Sequence, residues 1–200
     1  MPKKDIALIT GGGTGIGLSI AKKLHSMNKT VVLTGRRKEK LLEAKKLLKS
    51  RCHIVENDIS NLNSIPDLVN DIEKEIGPIN FLINNAGTHL RKIAVETTDA
   101  EWKSVIDTNL NSVFSLSREC AKKMIKRKRG NIILVGSVTT IMGLPDVTAY
   151  ATSKTALSGL ARTLAIELGK YSINVNCICP GFIQTAIFKR VRVHIFYSSN

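Results

Sequence analysis

Aromatic residues are scarce in this chain: one Trp, three Tyr and five Phe among 200 residues. Nucleic-acid binders that track single strands stack bases on aromatic side chains, so this scarcity speaks against a nucleic-acid partner. Acidic residues are also few, 16 against 30 Lys and Arg, which leaves a formal net charge of +14. The densest basic run, Lys122 to Arg129, stops at Gly130. It reads as a solvated helix end whose cations oppose the negative end of the dipole, with a general attraction for anionic ligands as a by-product. No apolar run approaches the roughly 18 residues of a membrane helix. Met1–Asp5 leads straight into a strand-like run without an apolar leader or cleavage site, which predicts a cytoplasmic protein. Cysteine is limited to Cys52, Cys120, Cys177 and Cys179. The last two would share a face of a strand but lack the second pair that a zinc site needs, so all four read as small buried hydrophobes and no metal is expected. Repeats, low-complexity stretches and linkers are absent, and the length suits one domain with its own core.

What is present is an alternation. Apolar, β-rich runs at Ile6–Thr10, Thr30–Thr34, His53–Glu56, Ile79–Ile83, Asn131–Gly136 and Ile173–Ile178 are separated by helical patterns. These cover Ile16–Met27, Lys38–Lys49, Ser64–Ile76, Asp99–Lys128 (read as two helices) and Val147–Gly169. Short continuous apolar strands between amphipathic helices predict an α/β fold with a doubly wound parallel sheet covered on both faces. In such a sheet ligands bind beyond the carboxyl ends of the strands. The polar and glycine-rich clusters fall there: Thr10–Gly17, Gly35–Arg37, Asp58, Asn84–Gly87, Ser137 and Pro180-Gly181.

The first cluster, Thr10-Gly11-Gly12-Gly13-Thr14-Gly15-Ile16-Gly17, joins a strand directly to a helix. Glycines permit the tight turn and let the backbone approach a pyrophosphate, and the helix N-terminus supplies free N–H groups for the anion. At the end of the second strand, where an NAD site carries an acid, stand Gly35, Arg36 and Arg37. A guanidinium pairs with a 2′-phosphate that a carboxylate would repel, so NADP(H) is preferred over NAD(H). Asp58 suits either an adenine contact or a helix-capping turn.

Tyr150 and Lys154 are four apart, one helical turn on one face. An ammonium near a phenol favours the phenolate and brings it towards the working pH range. Ser137, on the same sheet edge ahead of that helix, could hold a substrate oxygen beside the phenol. These motifs in this order resemble the short-chain dehydrogenase/reductase family over Asp5 to about Thr185, in a form similar to 3-oxoacyl-carrier-protein reductases and to sugar or alcohol dehydrogenases of that family. The resemblance rests on Thr10–Gly17, Asn84–Gly87, Asn109, Ser137, Tyr150 with Lys154, and Pro180-Gly181 with Thr185.

The resemblance implies a single Rossmann domain over 1–185. It implies hydride transfer between nicotinamide and a small carbonyl or alcohol substrate, such as a 3-oxoacyl thioester or another lipophilic ketone. Tyr150 would protonate the oxygen and Ser137 would orient it. Lys154 would lower the Tyr150 pKa and hold the ribose, and Asn109 would position a relay water. Gly11, Gly13, Thr14, Gly15, Ile16, Gly17, Arg36, Arg37, Asp58, Asn85, Ala86 and Gly87 would line the dinucleotide with Tyr150 and Lys154. Pro180, Gly181, Ile183 and Thr185 would grip the carboxamide. Ile141, Met142, Leu144 and Val147 are expected to form an apolar pocket wall, with Thr88, His89 and Leu90 at its rim.

The chain departs from the family after Thr185. Residues 186–200 resemble neither its substrate-binding helices nor its last strand, so a shortened tail lacking that strand is expected. Loss of the usual last strand would leave an unpaired edge, and homo-oligomer contacts through that region would be weakened. The alternative expectation is therefore a catalytically impaired nucleotide-binding remnant. Neither a membrane nor a nucleic acid is expected as a partner.

Overall fold

The structure, a computed structural model, describes residues 5–183. Six strands, β1 (Ile6–Thr10), β2 (Thr30–Gly35), β3 (Cys52–Glu56), β4 (Ile79–Asn84), β5 (Gly130–Val135) and β6 (Ile173–Ile178), form one sheet. Every strand pair is parallel and the order is β3-β2-β1-β4-β5-β6. The doubly wound parallel sheet expected from the alternation is the one observed, and strand bounds agree to within a residue. The expected loss of a last strand concerns residues outside those described.

Helices α1 (Gly15–Ser26), α2 (Lys38–Leu48), α3 (Ile65–Glu75), α4 (Asp99–Ile106), α5 (Ser112–Arg127) and α6 (Thr148–Gly169) connect the strands. Side chains of a strand alternate between faces, and the two cores follow that rule. Ile6, Leu8 and Val32 join one cluster with Val69, Leu116 and Leu157 from α3, α5 and α6. Ala7, Ile9, Val31 and Leu33 join the other with Ala21 and Leu41 from α1 and α2. Helices thus leave β1 and β4 towards opposite faces, and the crevice between those strands opens at the carboxyl edge, where strand order reverses. No described helix is long and apolar enough to cross a membrane.

The segment read as two helices, Asp99–Lys128, is divided by a π-helical turn at Asp107–Asn111. The wider turn carries the fully buried Asn109. Arg127 is not part of a solvated helix end, as the basic run suggested. Its guanidinium forks onto Glu73 at 2.6 and 3.0 Å and donates to the Ile79 carbonyl at 2.9 Å. Val147 is likewise core rather than pocket wall, 5% exposed and bridged to Lys92.

Gly17 is fixed by space. A Cβ there would overlap the Gly11 carbonyl oxygen and the Asn85 side-chain nitrogen, forcing the first turn away from β4. At Gly143 a Cβ would meet nothing within 4 Å. Gly17→Ala is therefore expected to cost about 2–3 kcal/mol in urea unfolding, and Gly143→Ala to stay within about 0.5 kcal/mol of the parent. Equal effects would contradict this packing account.

Candidate active site

The first turn is shaped by left-handed backbone at Gly11 (φ 63°) and Gly15 (φ 55°), which glycine adopts without strain. Thr14 precedes α1 without capping it through its side chain, and the first turn of α1 holds no acid. First-turn N–H groups have no partner inside a helix, so an anion can take them. On the far side the turn abuts α2: a Cβ at Gly13 would come within 3.2 Å of the Lys40 carbonyl. Arg37 leads into α2 and reaches back over the turn, Nη2 to Thr14 Oγ1 at 3.5 Å. Arg36 is exposed and pairs loosely with Asp58 at 4.0 Å. The other Asp58 oxygen accepts from the Ser60 N–H and hydroxyl at 3.0 and 2.8 Å, so the turn role is realised. A glycine cradle, a free helix start and two guanidinium groups beside it form a donor set that fits a phosphorylated dinucleotide.

Across the β1–β4 crevice, Asn85 turns its amide onto the Thr10 and Gly11 carbonyls, at 2.9 and 3.4 Å. Its backbone N–H and that of Ala86 donate to Thr10 Oγ1 at 3.0 and 2.9 Å. The Asn85 side chain therefore braces the cradle, and Gly87 beyond it is exposed. Gly87 leaves room where a Cβ would stand 3.3 Å from Asn109 Oδ1 and 3.4 Å from Lys154 Nζ.

Asn109 is held from three sides. Its Oδ1 accepts from Thr88 N–H at 2.8 Å, and its Nδ2 donates to the Thr88 carbonyl at 2.9 Å and to Ser153 Oγ at 3.0 Å. Ser153 in turn donates to the Tyr150 carbonyl at 2.7 Å. The side chain expected to position a water also ties the post-β4 segment to α6.

Ser137, Tyr150 and Lys154 do come together. Ser137 is buried and its hydroxyl oxygen accepts from Thr139 N–H at 3.2 Å. Burial of Tyr150 pushes its phenol above its ordinary value, and a hydrogen bond with Ser137 only partly offsets that. Lys154, 5% exposed, donates to the Val135 carbonyl at 2.8 Å, and its Nζ lies 5.8 Å from the Tyr150 ring centroid. Its amine is lowered by burial from 10.5 to about 8. The expectation that Lys154 depresses the phenol is corrected here: in this geometry desolvation dominates both groups.

The rim holds a contact that spacing alone did not reveal. His89 packs its ring on Tyr150, centroids 4.6 Å apart and tilted by 47°. Burial and the nearby Arg91 push the imidazole below its ordinary value, which favours the neutral ring. The segment is pinned at its other end, where Lys92 N–H donates to the Asp146 carbonyl at 2.7 Å. Ile141 and Met142, expected in a pocket wall, are exposed. After β6, the Pro180 carbonyl accepts from Val138 N–H at 2.9 Å, tying that loop to the Ser137 turn. Gly181 and Ile183 are exposed, and Thr185 lies outside the described residues. A separate depression of about 430 Å³, lined by Leu62, Pro66, Phe114 and Arg118 among others, lies between α3 and α5. It gathers none of these groups. Among the described residues no cluster of three or more His, Cys, Asp or Glu could hold a metal.

Comparison with known proteins shows the family. The profile of the short chain dehydrogenase family matches residues 5–195. Nodulation protein G of a Rhizobium species is 37% identical over 181 residues, covering 90% of this chain and 74% of that protein. The 3-oxoacyl-[acyl-carrier-protein] reductase FabG of Buchnera aphidicola is 37% identical over 185 residues, covering 92% and 76%. Among solved structures, an actinorhodin polyketide ketoreductase with NADPH superposes with a TM-score of 0.92 at 29% identity, covering 100% of this chain and 79% of that one. The chain belongs to the short chain dehydrogenase family and is an oxidoreductase of the CH–OH/C=O class.

Proposed function

We propose that the protein is an NADP(H)-dependent reductase of a lipophilic ketone, with a 3-oxoacyl thioester as the preferred substrate class, and that Tyr150 handles the proton. The observation that carries this reading is the meeting of the Ser137 and Tyr150 hydroxyls with the buried Lys154 at the strand edge that also holds the glycine cradle. The exposed Ile141 and Met142 and the similarity to reductases of 3-oxoacyl substrates favour a lipophilic ketone. One domain, residues 1–185, contains all the assigned groups.

The dinucleotide, when bound, supplies the hydride. The residues of the chain bind, place and protonate. Gly11, Gly13, Thr14, Gly15, Ile16 and Gly17 would take the pyrophosphate, and Asp58, Asn85, Ala86 and Gly87 the adenosine side. Arg37 is the better fork for the 2′-phosphate, since Arg36 already faces Asp58. With its phenol raised, Tyr150 keeps its proton at neutral pH and can give it to a developing alkoxide. Ser137 accepts from Thr139 N–H and is hydrogen-bonded to the Tyr150 phenol, so a substrate oxygen seated between the two hydroxyls would take over that contact and be oriented by it. Lys154 spends one N–H on Val135 and has two more for ribose hydroxyls beside the Gly87 gap. Asn109 acts by clamping Thr88 and α6. Pro180, Gly181, Ile183 and Thr185 would close over the carboxamide.

Three outcomes are expected. Tyr150→Phe should lose nearly all NADPH-dependent turnover while binding NADPH as the parent does. Retained turnover contradicts the assignment, and a parent that binds NADPH without turning over any carbonyl would favour the impaired remnant. Arg37→Glu should raise the KM for NADPH roughly tenfold to hundredfold with a smaller effect on NADH. An equal change with both dinucleotides would place the phosphate elsewhere. The third concerns stability. Between about pH 8 and 10.5 the folded protein has released the Lys154 proton and the unfolded chain still holds it, so this group makes stability rise with pH. Tyr150 acts oppositely above its ordinary 10, because the folded state retains the proton longer. The parent should therefore gain on the order of 2 kcal/mol relative to Lys154→Met across that window in urea unfolding. A constant difference would mean that Lys154 is not desolvated.

A further inference from the structure

Two of the four cysteines are not the buried hydrophobes that the sequence suggested. Cys52 and Cys120 are buried, but Cys177 is half-buried and Cys179 is exposed. Cys177 lies near the end of β6 and Cys179 one residue beyond it. Their sulfurs are 4.0 Å apart. Both occupy the space left by Gly136, where a Cβ would stand 3.0 and 3.1 Å from the two Sγ atoms. The thiols therefore sit against the residue that precedes Ser137; burial pushes the Cys177 thiol up to about 11, and the charge of Lys154 offsets this only in small part.

We propose that Cys177 and Cys179 form a dithiol site that exchanges with low-molecular-weight disulfides, closing a reversible Cys177–Cys179 bond behind the catalytic edge. Cys179 is the accessible sulfur. Its thiolate attacks one sulfur of a small disulfide, forming a mixed disulfide and releasing one thiolate. Cys177 then gives its proton to solvent and attacks the Cys179 sulfur, releasing the second thiolate. The protein dithiol is oxidised by two electrons and the small disulfide is reduced to two thiols. Two residues of a parallel strand advance about 6.6 Å, inside the Cα separation of up to about 6.8 Å that a disulfide spans. The sulfurs must close from 4.0 Å to about 2.05 Å. Cys179, past the last strand residue, can supply that movement. A bond at the edge of the permitted geometry is strained and easily reduced.

The movement reaches the site through two hydrogen bonds. Gly136 N–H donates to the Ile178 carbonyl at 2.7 Å, and Val138 N–H to the Pro180 carbonyl at 2.9 Å. These acceptors flank Cys179, and these donors flank Ser137. Drawing Cys179 towards Cys177 shifts Ser137 and the Pro180 loop together, and a misplacement of that kind lowers turnover. This last link rests on the function proposed above; the bond itself does not.

The full-length reduced protein is incubated with oxidised glutathione, the remaining thiols are alkylated, and peptides are read by mass. Cys177 and Cys179 should leave the alkylatable set as one linked peptide, Cys52 and Cys120 should remain, and dithiothreitol should restore the pair. Cys177→Ser should stop at a glutathione adduct on Cys179, and Cys179→Ser should leave Cys177 unmodified on the same timescale. Ketone reduction by the parent should fall roughly tenfold or more on oxidation and recover with dithiothreitol, and Cys179→Ser should be insensitive. A parent that stops at the mixed disulfide, or reacts at neither thiol, overturns the site. A linked pair with unchanged turnover overturns its control of the edge. Absence of turnover before oxidation counts against the proposed reductase, and the mass readout still decides the dithiol.

Discussion

Thr10 is buried where the two halves of the sheet meet, and its polar atoms join them. Its hydroxyl accepts the N–H groups of Asn85 and Ala86 and donates to the Ile83 carbonyl, while its own carbonyl takes the Asn85 amide. The strands on either side diverge into helices on opposite faces, so the crevice between them exists only because something spans its floor. The spanning groups are short, neutral and fully paired, which makes the join directional and keeps the backbone amides of neither strand unsatisfied. Gly17 completes it by letting α1 lie against the same amide. Position the cradle wrongly by an ångström and its distance from the phenol changes by as much.

A second polar chain continues from that join. Past Ala86 and Gly87 the strand end passes to Thr88, whose backbone is held by Asn109 on both its N–H and its carbonyl. Asn109 reaches Ser153, and Ser153 reaches the Tyr150 carbonyl. The first turn of α6 is thereby located relative to β4 through buried hydrogen bonds rather than through apolar contact alone. Apolar packing tolerates sliding; a fully satisfied buried network specifies one arrangement. Lys154 and Tyr150 inherit that precision, as does His89, whose ring is pressed on the phenol from the segment Asn109 holds.

Much of this was legible in the amino-acid order. The alternation of β-rich runs and amphipathic stretches carried the sheet, because burial on both faces demands continuous apolar strands. The glycine turn, the Arg36-Arg37 pair and the Tyr150–Lys154 spacing were readable for the same reason: each is local, and local geometry follows from residue type. What could not be read depends on distant partners. A π-turn at Asp107–Asn111 has no periodicity of its own to betray it. Arg127 looked like one more surface cation because Glu73 is 54 positions away. The phenol was expected to fall under the influence of Lys154, but the balance between a nearby ammonium and burial is set by how deeply both are enclosed, and here enclosure prevails. Cys179 looked apolar by type and is exposed by position.

The central claim is that a dinucleotide and a carbonyl meet beside Tyr150 so that hydride passes directly between them. NADPH deuterated at the transferring face of C4, supplied with a lipophilic ketone, tests it without reference to any variant. The account predicts deuterium on the carbinol carbon of the product, in an amount equal to the NADPH oxidised. Oxidation of NADPH with the label appearing in solvent, or retained on the dinucleotide while the ketone is unchanged, would contradict it.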